Sequence, residues 1–429
     1  MTDWYSVTID EIAKDVTVGH VGSMADDYET SGVPFLRSLN VAPFKIKSDG
    51  LKYINRTFHN TLRKSALSPG DVVIVRTGRP GACSVIPVSL PEANCSDLVI
   101  IRCGDRVRPH FLSYVINSLA GHHIDSHTVG AVQQHFNVGS ARTLKFMLPS
   151  LAIQDNILGV LQTIDDKIEL NRRMNETLEA SARALFRDWF VDFGPTRAKA
   201  EGSAAYLAPD LWSLFPDRLG DDDVPASWRL GSLADLMSIS PKEPLKSGVV
   251  APYLDMAALP TRGSTTDLPI DRVYSSGTRF RNGDTLLARI TPCLENGKTG
   301  YVQNLPENSV GWGSTEFIVL RTKPAIPSAV SYLVARDDEF RRHAIQSMTG
   351  TSGRQRANAD AVARYPAVIP DSDKLWQALG TILDPIFDQI ASSERESRAL
   401  AETRDTLLPK LMSGAIRVRD AESAVAALC

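Results

Sequence analysis

The sequence predicts an α+β protein built by internal duplication: two β-rich units, each followed by a long helix, with the two helices pairing as an antiparallel coiled coil about a pseudo-two-fold axis. Three observations carry this. One order of elements runs twice, from Val33 to Val191 and again from Ala251 to Leu411. Short β-branched runs bounded by Gly and Pro fill the front of each copy. A long stretch with helical apolar spacing closes each copy.

The repeat holds position by position. Pro34-Phe35-Leu36 matches Pro252-Tyr253-Leu254, and Gly70-Asp71 matches Gly283-Asp284, each followed by an apolar run ending in arginine, Arg76 or Arg289. Ser96-Asp97-Leu98 answers Thr315-Glu316-Phe317, and both strands close on an arginine, Arg102 or Arg321. Ser113-Tyr114 then answers Ser331-Tyr332, Gln134 with Asn137 answers Gln355 with Asn358, and Leu148-Pro149 answers Ile369-Pro370.

Residues 1–150 form the first β-rich unit, where LSPGDVVIVRTGRPGACSVIP reads as strand, turn, strand and PHFLSYVINSL as a short helix. Residues 151–193 form the first long helix, with a seam at Ile157, Leu161, Ile164, Ile168, Asn171, Asn175, Leu178, Ala182, Leu185 and Trp189. Such a helix is ~60 Å long, more than one small domain needs. Gly194-Pro195 reads as its stop. Residues 194–227 are a connector, 228–370 the second β-rich unit, 371–414 the second long helix and 415–429 a C-terminal tail. The second seam is Leu375, Leu379, Ile382, Ile386, Ile390, Ser393, Ser397, Leu400, Arg404, Leu407 and Leu411, and Pro385 should kink this helix or shift its start. Both seams turn polar at the centre, at Asn171/Asn175 and Ser393/Ser397, which suits antiparallel pairing in one register. The alternative is that each helix packs only on its own unit.

Composition fits an ordinary soluble chain: 429 residues, 43% hydrophobic, 23% charged. No apolar run reaches the ~18 residues of a membrane span and the start lacks a signal-peptide pattern, so a cytoplasmic setting is expected. Cys83, Cys95, Cys103, Cys293 and Cys429 show no CxxC spacing, so they read as reduced packing residues. Net charge is -3, yet Arg37 to His110 holds twelve Lys or Arg against five acids, and Arg262 to Tyr365 fourteen against ten. Basic surfaces on an acidic frame follow, with scattered solvated charge as the alternative.

A catalytic set is missing. There is no phosphate loop, no dinucleotide fingerprint and no Asn-Pro-Pro-aromatic element. His122, His123, His127 and His135 cluster without Cys or Glu at ligand spacing, so no metal site is expected. Binding remains. The loop Arg76-Thr77-Gly78-Arg79-Pro80-Gly81 sets two arginines among glycines, and Gln133, Gln134, His135 and Asn137 could hydrogen-bond base edges. Their counterparts in the second copy are Arg289, Lys298, Arg354, Gln355, Arg356 and Asn358. These twelve are the candidate DNA-contacting residues.

Here the chain resembles a known family, the DNA-specificity subunits of type I restriction-modification systems. The specific marks are Leu185-Phe186-Arg187-Asp188-Trp189-Phe190-Val191-Asp192-Phe193, the stretch Leu148 to Asp155, and Leu407-Leu408-Pro409-Lys410-Leu411-Met412-Ser413-Gly414. The resemblance implies two target-recognition domains on double-stranded DNA, each reading one half of a bipartite gapped site. It implies that the paired helices set the spacing, and that two methyltransferase subunits and restriction/translocase subunits dock on the frame. Catalysis, and with it S-adenosylmethionine, ATP and Mg, would belong to those partners, with no cofactor in this chain. Pro385 departs from a symmetric ruler. Two other readings stay open at this point: a protein-protein scaffold with no DNA role, and a methyltransferase or nuclease with diverged motifs.

Overall fold

The computed structural model describes residues 4–24, 26–126, 136–351 and 353–426, with 120–126 by backbone alone. The chain divides into two compact units: Met1–Ile168 with Arg398–Cys429, and Glu169–Ser397. Each long helix therefore lends one half to each unit. The breaks drawn in the sequence at 150 and 370 instead mark where β-rich chain gives way to helix.

In the first unit, one antiparallel sheet runs in the order Ala13–Val18, Leu98–Cys103, Val72–Val75, Cys83–Val85. A second runs Lys52–Ile54, Val33–Leu36, Ala93–Cys95, Ala66–Leu67, its central pair parallel. Trp4–Thr8 pairs with Lys145–Pro149 just before the long helix begins. The second unit repeats this arrangement strand for strand. One sheet is Met237–Ile239, Phe317–Thr322, Thr285–Ala288, Thr299–Tyr301; the other is Ile270–Val273, Val250–Leu254, Gly311–Gly313, Thr278–Phe280, again with a parallel central pair. Arg229–Ser232 pairs with Pro366–Ile369. The register agrees as well: Leu98 faces Val75 in one unit and Phe317 faces Ala288 in the other.

The fully apolar strands have a physical reason. Successive strand residues point to opposite faces. Val72, Ile74, Val99 and Ile101 enter the core shared with the helices, whereas Val73, Val75, Leu98 and Ile100 enter a smaller core toward the second sheet. Leu287, Ile318 and Leu320 against Leu286, Ala288, Phe317 and Val319 repeat the division. A strand buried on both faces takes a polar residue only where it finds a buried partner, as Thr285 does in Ser331 at 2.7 Å.

The long helices run Leu151–Phe190 and Asp373–Met412. In the first unit Ile157, Leu161 and Ile164 share a core with Leu400, Leu407 and Leu411, and Ile168 packs at its margin. In the second unit Trp189, Leu379 and Ile390 are buried in one core, edged by Leu178, Leu185, Ile382 and Ile386. Pairing and packing on a β-rich unit are thus simultaneous: each half-helix does both. The polar centre closes as the seam predicts. Buried Asn171 donates through Nδ2 to the Ser393 carbonyl at 3.3 Å, Glu396 Oε2 at 2.7 Å and Ser397 Oγ at 3.2 Å. Asn175 Nδ2 donates to Glu394 Oε1 at 3.2 Å.

Three details differ from the sequence expectation. The first helix ends at Phe190, and Gly194-Pro195 opens a further helix, Gly194–Ala200, because proline suits a first turn. The second helix starts at Asp373 and runs through Pro385 at the expense of one backbone bond, so the proline does not shift its start. The tail carries a helix, Val418–Ala426, whose Ala421 and Val425 join the first unit's core. The four described cysteines are free. No described helix is long and apolar enough to cross a membrane.

Replacing Asn171 by alanine should cost about 1–3 kcal/mol, because it removes the donor that satisfies the Glu396 and Ser397 side chains at a buried position. Urea unfolding of wild type and variant measures it, and an unchanged midpoint would deny the seam this role.

Candidate nucleic-acid interface

In the first unit the buried strand Val72–Val75 delivers the chain into Arg76-Thr77-Gly78-Arg79-Pro80-Gly81. Gly78 and Gly81 hold φ of 85° and 90°, and a Cβ on Gly78 would meet nothing within 4 Å, so the turn geometry rather than crowding requires glycine there. Arg76 Nη1 donates to Asp97 Oδ1 at 2.8 Å, and Thr77 Oγ1 to Asp97 Oδ2 at 3.0 Å. Arg76 therefore steadies the loop, and Arg79 is the exposed arginine on it. Asn137 caps the helix Val138–Thr143, its side chain accepting from the Ser140 amide at 2.8 Å. Gln133, Gln134 and His135, like His127, lie outside the described residues.

The second unit gathers more of its candidates. Arg289 follows the equivalent strand, and its carbonyl accepts from the Ala357 amide at 2.7 Å. The Gln355 amide donates to Thr291 Oγ1 at 3.1 Å, and the Thr291 amide returns a bond to the Gln355 carbonyl at 3.0 Å. Arg289, Gln355, Arg356 and Asn358 thereby fall on two knitted loops, with Arg354 exposed beside them. Arg356 is held by Glu316, Nη2 to Oε1 at 2.7 Å, as Arg76 is held by the equivalent Asp97. Asn358, like Asn137, is a helix cap, accepting from the Asp360 and Ala361 amides. Lys298 lies apart from this group in its bonding, its Nζ donating to the Met256 carbonyl at 2.7 Å.

Two repeated features found in the sequence acquire roles here. The Gly-Asp carboxylate faces the arginine that closes the central strand: Asp284 receives Nε and Nη2 of Arg321, both at 2.6 Å. Asp71 lies 4.0 Å from Arg102, which pairs chiefly with Asp15 at 2.5 Å. Burial raises the pKa of both aspartates, against the pull of the arginine and of a backbone amide. The Ser-Tyr repeat reaches the long helices. Tyr114 donates to Asp165, which also takes Arg404 Nη1 at 2.7 Å. Tyr332 donates to buried Glu179 at 2.7 Å, and Arg183 bonds the same carboxylate.

The motif reading passed over a further cluster in the first unit. Arg37 and Lys52 lie 5.8 and 5.7 Å from the Tyr28 ring centroid. The basic excess beginning at Arg37 was the signal that pointed to it. Among the described residues no group of three or more His, Cys, Asp or Glu stands together to hold a metal ion.

Residues 1–180 match the family described as the type I restriction modification DNA specificity domain. The chain is 26% identical over 336 residues to the specificity subunit of the type I restriction enzyme HindI of Haemophilus influenzae, covering 65% of this chain and 70% of the relative. It is 26% identical over 285 residues to the MjaIX specificity subunit of Methanocaldococcus jannaschii, covering 63% of this chain and 60% of the relative. The fold is similar to that of a type I restriction-modification S subunit from M. genitalium, with a TM-score of 0.52 at 15% identity over 95% of this chain and 96% of the other.

The Glu316–Arg356 pair makes a pH-dependent contribution. The Arg356 hydrogen bonds lower the Glu316 pKa from its ordinary 4.5. A lowered folded value means stability that is present above 4.5 and is lost as pH falls through the folded value. The stability difference between wild type and Glu316→Gln should therefore be full near neutrality and shrink in acid below that point; denaturant titrations at several pH values measure it.

Proposed function

We propose that the chain belongs to the type I restriction-modification DNA specificity family and that its two units divide the work. Each β-rich unit reads one half of a bipartite, gapped site on double-stranded DNA. The two long helices set the spacing between the halves and dock two methyltransferase subunits, with restriction/translocase subunits completing the complex in the cytoplasm. Methyl transfer and cleavage, with S-adenosylmethionine, ATP and Mg, belong to those partners, and this chain supplies recognition.

One observation carries the proposal: the same strand order occurs twice, and in each copy the carboxylate just before the central strand, Asp97 or Glu316, holds an arginine from a candidate loop, Arg76 or Arg356. Two copies of one scaffold with different loop chemistry suit two unlike half-sites. Phosphate contacts would set the register and the loop side chains would read base edges.

Methylome sequencing tests it, in a host expressing this chain with its cognate methyltransferase subunit and in one lacking only this chain. Methylated adenine should appear at one gapped two-part motif and vanish without the chain. Exchanging residues 1–150 for those of a relative should change one half of the motif and leave the other intact. Modification that is unaffected by the chain would overturn the recognition role.

A further inference from the structure

We propose that the loop from Arg37 to Lys52 in the first unit is a preformed DNA-contacting element, in which Lys47 and Lys52 meet the phosphate backbone and Leu39 meets the base pairs between. This rests on the DNA-recognition reading and adds to it a site outside the twelve motif residues.

The loop is built before any ligand arrives. Asn40 is fully buried; its Oδ1 accepts from the Arg37 amide at 3.1 Å, and its Nδ2 donates to the carbonyls of Lys47 at 3.2 Å and Asp49 at 3.1 Å. The Lys47 amide donates back to the Asn40 carbonyl at 2.7 Å, and Val41–Ala42 pairs with Lys45–Ile46 as a small ribbon. Arg37 Nη2 donates to the Gly50 carbonyl at 2.7 Å, closing the loop from its other side. Holding several cations in fixed positions costs free energy in isolation and is repaid when an anionic backbone runs past them.

The charge is one-sided. From Val33 to Ile54 the chain has four Lys or Arg against the single acid Asp49, and Arg56, Arg63 and Lys64 follow without another acid. Lys47 and Lys52 are exposed, and Leu39 is 73% exposed on the turn that Asn40 anchors. An apolar side chain held outward among cations suits contact with a thymine methyl or a base step. The equivalent segment of the second unit, Val250 to Val273, has two arginines against three aspartates and exposes Val250, Ile270 and Val273 instead. The two units thus offer DNA different surfaces at the same place in the fold, and the electrostatic one is in the first.

The test measures binding of the chain in complex with its methyltransferase subunit to a duplex carrying the methylome-derived motif, and to duplexes with either half scrambled, across salt concentrations. The double variant Lys47→Gln/Lys52→Gln should weaken binding to all three duplexes and reduce the slope of log affinity against log salt by about 2, while Lys47→Arg/Lys52→Arg keeps the slope. Leu39→Ala should leave the slope unchanged and lose about tenfold in affinity, only where the first half-site is intact. An unchanged slope in the glutamine variant overturns the phosphate contacts, and an unchanged or half-site-independent affinity in Leu39→Ala overturns the base contact. If the wild-type complex itself fails to distinguish the motif from scrambled duplex, the DNA-recognition reading fails; if it distinguishes them and the variants match it, only the loop proposal fails.

Discussion

The antiparallel pairing of the two long helices is the constraint on which the other features depend. A helix of forty residues with an apolar seam along its length cannot bury that seam on one domain of ordinary size. Here each helix is shared. The first unit's core includes Leu400, Leu407 and Leu411 from near the C-terminus, and the second unit's core includes Trp189 from the end of the first helix. Neither sequence repeat is a complete core by itself, because each unit's core takes residues from both long helices. Asn171, Asn175 and Ser393 interrupt the apolar seam, and a hydrogen-bonded centre of this kind selects one register among those that apolar residues alone would permit.

That shared core explains how the variable surface is presented. Strands buried on both faces, such as Val72–Val75 and Thr285–Ala288, are rigid supports, and the loops leaving them inherit that rigidity. The carboxylates Asp97 and Glu316, placed just before the central strand in each unit, hold Arg76 from the first of those loops and Arg356 from the segment bonded to the second. The Tyr114–Asp165 and Tyr332–Glu179 bonds tie the short helix of each unit to a long one. Within each unit, the loop chemistry is therefore referenced to the helix that would set the spacing.

The duplication keeps the scaffold and lets the surface diverge. Strand order and register agree between the copies, while the segments Val33–Ile54 and Val250–Val273 differ in charge sign and apolar exposure. Burial constrains one set of positions and leaves the other free, so one scaffold carries two different surfaces.

Much of this fold was legible in the sequence because its signals are local or periodic. The heptad seams, the Gly-Asp turns, the doubly buried strands and the repeat itself are patterns of spacing, and each has a direct physical cause in helix or strand geometry. The site was less legible. Asn137 and Asn358 recur because both cap helices, and Arg76 is held by Asp97 whereas its counterpart Arg289 is tied in through its backbone carbonyl. A repeated polar residue reads alike whether it serves structure or a ligand, and only its hydrogen-bond partners separate the two. By itself the sequence determined that there are two similar units and two pairing helices, since periodicity and repetition depend on the chain alone. Tertiary structure alone decided which half of each helix joins which core, and which candidate arginines are held by carboxylates such as Asp97 and Glu316. Those are contacts between residues far apart along the chain, and no local pattern encodes them.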